Sequence, residues 1–147
     1  MDLAEHPGFQ QGLREFRAGE FYPCHDSLEA VWMTAAEPDK TFIQGILQIA
    51  VACYHLGNGN RQGTLILLGE GLKRLRDYQP DYAQIDVTAL VRSSAVLLGQ
   101  IQQLSDGDLP QVCDWVRGDH RHWPLVIAPS GAPPAPILLN LPVLNGL

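Results

Sequence analysis

Positive charge is scarce in this 147-residue chain, where 10 Lys and Arg stand against 16 Asp and Glu for a net charge of −6. General nucleic-acid binders present a basic face, so this balance argues against nucleic acid as a partner. The local cluster Lys73, Arg74 and Arg76 is offset by Glu70 and Asp77 and reads as a solvated helix face. Cysteine is scarce too. Cys24, Cys53 and Cys113 are odd in number, widely spaced and form no CxxC, which argues against a disulfide framework and for reduced thiols in a cytoplasmic protein. The opening MDLAEHPGFQ lacks a basic segment followed by an apolar one, so no signal peptide is expected. The longest uncharged helical run, residues 41–60, is broken by two glutamines, a histidine and a Gly-Asn-Gly-Asn end, which reads as a buried helix and not a membrane span.

What is present is the composition of a globular core, with 46% apolar and 18% charged residues in a length that needs no disulfide or metal staple. Phe9, Leu13 and Phe16 fall at helical spacing and predict a first helix over about 8–18, interrupted by Gly19. A second begins near Pro23, since the first turn does not need the missing N–H, and ends before Pro38. The third spans about Thr41 to His55. Asn60 suits the N-cap of a fourth, Arg61 to Tyr78, with a Leu65, Leu68, Leu72, Leu75 stripe. Asp86 suits the N-cap of a fifth, 87–104. The fold class is therefore all-α: an antiparallel bundle of about four to five helices, over residues 1–107.

Residues 108–147 read differently, as an extended arm. From 124 to 147 there are six prolines and no charge among Val, Ile and Leu, too much proline for a helix and too apolar for a disordered tail. The arm is expected to lie on its own bundle; the alternative is an arm reaching to a second subunit, making a homo-oligomer.

The stretch FIQGILQIAVACYHLG, residues 42–57, is apolar on nearly every side yet carries Gln44, Gln48 and His55. At about 100° per residue, with Gln44 at zero, Gln48 falls at about 40°, Val51 at about −20° and His55 at about 20°. The polar groups share one arc. A helix apolar elsewhere is surrounded by protein, so that arc is expected to face inward or into a pocket. Upstream, in CHDSLEAVW, His25, Glu29 and Trp32 share a face. The expectation is that His25 and Glu29 meet Gln44, Gln48 and His55 across a helix–helix interface, roofed by Trp32 and Tyr54, with Asn60 at one end.

The run GEFYPCHDSLEAVW, then FIQGILQIAVACYHLGNGNRQGT, then Ile-Asp-Val before the last helix, resembles the domain of unknown function 309 family, small helical proteins of bacteria, archaea and plastids. The resemblance covers roughly residues 15 to 105. It implies an all-α fold and no assigned activity. The family's marked polar positions fall on His25, Glu29, Trp32, Gln44, Gln48, His55, Asn60, Gly63 and Asp86. Asp26 stands where glutamate is commoner, Thr64 where alanine is commoner, and Gln84 where glycine usually precedes Ile-Asp.

The cluster has three chemical uses open to it. It could be a hydrogen-bond network fixing helix register. It could be a pocket for a small polar ligand, lined by His25, Glu29, Trp32, Gln44, Gln48, His55 and Asn60. Or it could serve a reaction, with His25, Glu29 and His55 holding a divalent metal, or Glu29 and a histidine working as an acid–base pair with the carboxyl raised by burial. No HExxH or ExxH repeat supports the metal, and no cofactor is expected. Cys24 is poorly placed for activation by its neighbour His25, about 100° away, and reads as a core residue, as does Cys53. His120 and His122 read as a solvated loop.

Overall fold

A computed structural model describes residues 2–118, 125–127 and 137–147, with the side chains of 2–118 and 139–147. Among the described residues six α-helices carry the fold: α1 (Pro7–Arg17), α2 (Phe21–Thr34), α3 (Asp39–Gly57), α4 (Arg61–Leu75), α5 (Val87–Gln103) and α6 (Leu109–Arg117). No described helix is long and apolar enough to cross a membrane.

Each helix starts and stops for local reasons. His6 caps α1 through its ring, Nδ1 accepting from the Gly8 N–H at 3.0 Å, and Pro7 supplies the first turn. The chain leaves α1 through Gly19, at φ 74°, a left-handed value that glycine adopts without Cβ strain. α2 begins two residues before Pro23, which therefore sits in the first turn, where no intrahelical N–H bond is needed. Asn60 caps α4, Oδ1 accepting from the Gly63 N–H at 2.9 Å, and Asp86 caps α5 in the same way on Ala89 at 3.0 Å. α4 stops at Leu75, short of the expected Tyr78. Residues Arg76–Tyr78 tighten into a 3-10 turn.

α3 lies in the middle, against α2, α4 and α6, while α1 covers α2 and α5 covers α4. Its buried positions cover most of the circumference and include Phe42, Ile43, Ile46, Ile49, Ala52, Cys53 and Leu56, while the remaining arc, with Gln44, Leu47, Val51, Tyr54 and His55, is half-buried or exposed. Glycine permits the α3–α4 approach: a Cβ at Gly71 would stand 3.0 Å from the Gly45 carbonyl oxygen and 2.7 Å from Ile49 Cδ1.

Between α4 and α5, β1 (Asp81–Tyr82) and β2 (Ile85–Asp86) form a two-stranded antiparallel hairpin. Its turn residues Ala83 and Gln84 both have positive φ, 49° and 62°. Gln84 thus holds a conformation that suits the glycine commoner at this position.

The arm reading needs one correction. Residues 109–117, placed in an extended segment, form helix α6, with Pro110 in its first turn and Val112, Cys113 and Val116 buried. Beyond it, β3 (Leu125–Ile127) pairs antiparallel with β4 (Ile137–Leu139). The last residues then cross the bundle without forming a helix. Leu139, Leu141 and Leu144 are buried. Arg17 Nε donates to the Leu144 carbonyl at 2.8 Å, the Val143 N–H donates to Ser93 Oγ at 2.8 Å, and the Asp86 N–H donates to the Asn145 carbonyl at 2.9 Å.

Candidate functional site

The arc on α3 is about 60° wide, and its two edges meet different neighbours. Val51 faces α2. Gln48, at the other edge, turns to α4, where its amide Nε2 donates to Glu70 Oε2 at 3.0 Å. The two seams therefore do not close on each other as expected: Gln48 is buried but bonded away from His25 and Glu29. Its Oε1 is buried and has no hydrogen-bond partner among the described residues. Gln44 is half-buried one turn earlier.

His25 and His55 do come together. With Phe21, Tyr22, Val51 and Tyr54 they line a cavity of about 130 Å³ between α2 and α3. Tyr22 and Tyr54 lie 5.4 Å apart between ring centroids and form its outer lip, Tyr22 57% and Tyr54 38% exposed. Tyr22 stacks obliquely on His25 at 6.2 Å and Tyr54 on His55 at 6.1 Å, so four rings run in a row from α2 to α3.

Each imidazole is held from outside the cavity. His25 Nδ1 lies 3.1 Å from Asp26 Oδ1, and its Nε2 lies 3.5 Å from Glu29 Oε2, one turn on. The shorter aspartate at position 26 thus still reaches the ring. His55 Nδ1 lies 3.5 Å from Asn60 Nδ2. Because Asn60 Oδ1 is committed to the Gly63 N–H, it is the amide nitrogen that faces the ring. Gly63 is needed there: a Cβ would stand 2.6 Å from Asn60 Nδ2 and 3.0 Å from His55 Cδ2.

Trp32 is half-buried beneath Lys40, whose Nζ lies 4.4 Å from the ring centroid, and it roofs neither histidine. Its Nε1 is buried and, among the described residues, unpartnered. Glu29 is exposed, so the burial on which the acid–base reading relied is not there. A metal set of His25, Glu29 and His55 is not what gathers either. The ligand atoms within 4.8 Å of one another belong to His25, Asp26 and Glu29, with both carboxylates exposed. Asp86 lies at the start of α5 as a helix cap, apart from the cavity. Thr64 is buried, its hydroxyl donating to the Asn60 carbonyl at 2.8 Å.

Cys24 is fully buried, and burial, followed by the nearby Glu15 carboxylate, pushes its thiol up to about 12. A thiol so held is no nucleophile at neutral pH. Cys53 is likewise in the core. His120 and His122 lie outside the described residues.

Sequence reasoning passed over Tyr22 and Phe21, although Tyr22 stands one turn before His25 on the same face. It also missed Glu70, for which no sequence signal exists, since the contact depends on where α4 crosses α3.

The molecule is thus a helical bundle carrying an aromatic and imidazole pocket between its second and third helices. Residues 9–67 match the model of the family described as Domain of unknown function (DUF309), so the resemblance to that family holds over this part of the chain. The match contains His25, Glu29, Trp32, Gln44, Gln48, His55, Asn60 and Gly63 and ends before Asp86 and the Ile-Asp-Val sequence. No curated protein matches the chain.

Proposed function

We propose that the chain is a binding module whose site is the pocket between α2 and α3, and that its ligand is a small molecule presenting one ring-sized group. One observation carries this reading: His25 and His55, from different helices, line a single cavity of about 130 Å³ with Tyr22, Val51 and Tyr54. An apolar cavity of about 150 Å³ holds benzene. Metabolite pockets run to about 300–1,000 Å³, so the size selects a single ring. Tyrosine walls supply contact area at low conformational cost, and the imidazoles supply the polar groups that orient a ligand.

The test is a titration of isotope-labelled protein with benzamide, followed by nuclear magnetic resonance. Shift changes should be confined to Phe21, Tyr22, His25, Val51, Tyr54 and His55. Val51→Phe, which fills the cavity, should abolish them. Changes scattered over the surface, or unaffected by Val51→Phe, would overturn the reading.

Catalysis by a metal or an acid–base pair draws less support. The carboxylates that approach His25 are exposed and do not line the cavity, and His55 stands outside their group.

A further inference from the structure

We infer that Asn60 fixes His55 with its proton on Nε2, so that the pocket offers a hydrogen-bond donor and its ligand is a neutral ring bearing an acceptor oxygen. This rests on the binding reading above and names the chemistry of the same site.

The Gly63 N–H is one of the first-turn donors that a helix cannot satisfy internally. Asn60 Oδ1 accepts it at 2.9 Å, which sets the amide orientation. The amide nitrogen, a pure donor, then faces His55 Nδ1 at 3.5 Å. A proton on Nδ1 would point donor at donor. The lone pair must be there, so the neutral ring carries its proton on Nε2. Cδ2 lies against Gly63. The remaining ring edge, with Nε2–H, is left to meet a ligand in the cavity that His55 lines.

The charge around the pocket restricts the ligand further. Asp26 and Glu29 flank His25 on the α2 side and disfavour an anion. An N–H donor from His55 disfavours a cation. A neutral carbonyl or hydroxyl oxygen on an aromatic ring satisfies both sides.

Asn60→Asp separates cap from tautomer. Aspartate caps a helix about as well as asparagine, so α4 keeps its start. Its second carboxylate oxygen, however, would face His55 as an acceptor. Long-range proton–nitrogen correlation spectra of the full-length chain should show the Nε2–H form of His55 in the wild type. In Asn60→Asp, Nδ1 should acquire a proton. In parallel, the wild type should bind acetophenone, whose carbonyl only accepts, about fivefold more tightly than toluene, a ratio typical of one net hydrogen bond. Asn60→Asp should bring that ratio to about one while leaving toluene affinity unchanged.

A wild-type His55 protonated on Nδ1 overturns the inference. So does equal binding of acetophenone and toluene, which would leave the pocket standing without its donor, or tighter binding of benzylammonium than of acetophenone. If none of the probes binds, the pocket reading itself fails and takes the ligand assignment with it.

Discussion

Alanine substitutions at Gly69 and Gly71, two residues apart in α4, should move stability in opposite directions. Both replace a mid-helix glycine and so share the same propensity gain, about 0.5–1 kcal/mol. At Gly69 a Cβ would have nothing within 4 Å, so Gly69→Ala should be more stable than wild type by about that amount. At Gly71 the Cβ would come within 2.7 and 2.9 Å of Ile49 Cδ1 and Cγ1 and 3.0 Å of the Gly45 carbonyl oxygen. Ile49 is fully buried in a close-packed core, and the carbonyl can move only if α3 and α4 separate. Overpacking of that kind costs about 1–3 kcal/mol. The gap between the two variants isolates that cost, because propensity cancels. For a chain of this length each kcal/mol corresponds to about 2–4 °C in Tm. Urea unfolding followed by far-ultraviolet circular dichroism would measure both. Equal stabilities for Gly69→Ala and Gly71→Ala would show that α3 and α4 do not approach through Gly45 and Gly71.

Gln84→Gly should stabilise the fold by about 0.5–1 kcal/mol, because relief of the left-handed backbone outweighs the extra freedom of glycine in the unfolded chain; unchanged or lower stability in thermal unfolding would count against the hairpin geometry. Ser93→Ala removes the acceptor for the Val143 N–H and should cost about 1 kcal/mol. Hydrogen exchange of the Val143 amide should accelerate while the α3 amides stay protected, and equal acceleration in both would contradict the local seat. Because the Cys24 thiol is raised from 9.0 to about 12 in the fold, its contribution to stability is complete below pH 9 and is lost as pH rises toward 12, where only the unfolded chain ionises readily. Denaturant unfolding between pH 8 and about pH 10.5 should therefore show a flatter alkaline decline for Cys24→Ala than for the wild type; parallel curves would place the thiol in water.

Much of the bundle was readable because its signals are local. Asn60 and Asp86 announce two helix starts, and the leucine spacing between them follows from burial of one face. α6 escaped because it is nine residues long and stands beside a proline-rich stretch of arm composition, although Val112, Cys113 and Val116 carry the helical period. The site was readable in part for a different reason. A helical wheel places Gln48, Val51 and His55 on one arc but cannot say which neighbour lies at each edge. Val51 and His55 met α2, whereas Gln48, at the far edge, met Glu70 of α4. Gly63 shows the opposite case, a residue whose reason appears only in three dimensions, where Asn60 and His55 leave no room for a Cβ.

The closing segment carries a consequence for the order in which the chain assembles. The helices up to α5 pack largely on their immediate predecessors, so forming them closes only short loops. The bond from Arg17 to Leu144 spans 127 residues, and that from Ser93 to Val143 spans 50. Closure entropy grows with the logarithm of such spans, and this seam gains its partners only after the helical groove exists. The tail is therefore a late fastener: the last piece to click into place during refolding and the first to lift away as the protein loosens.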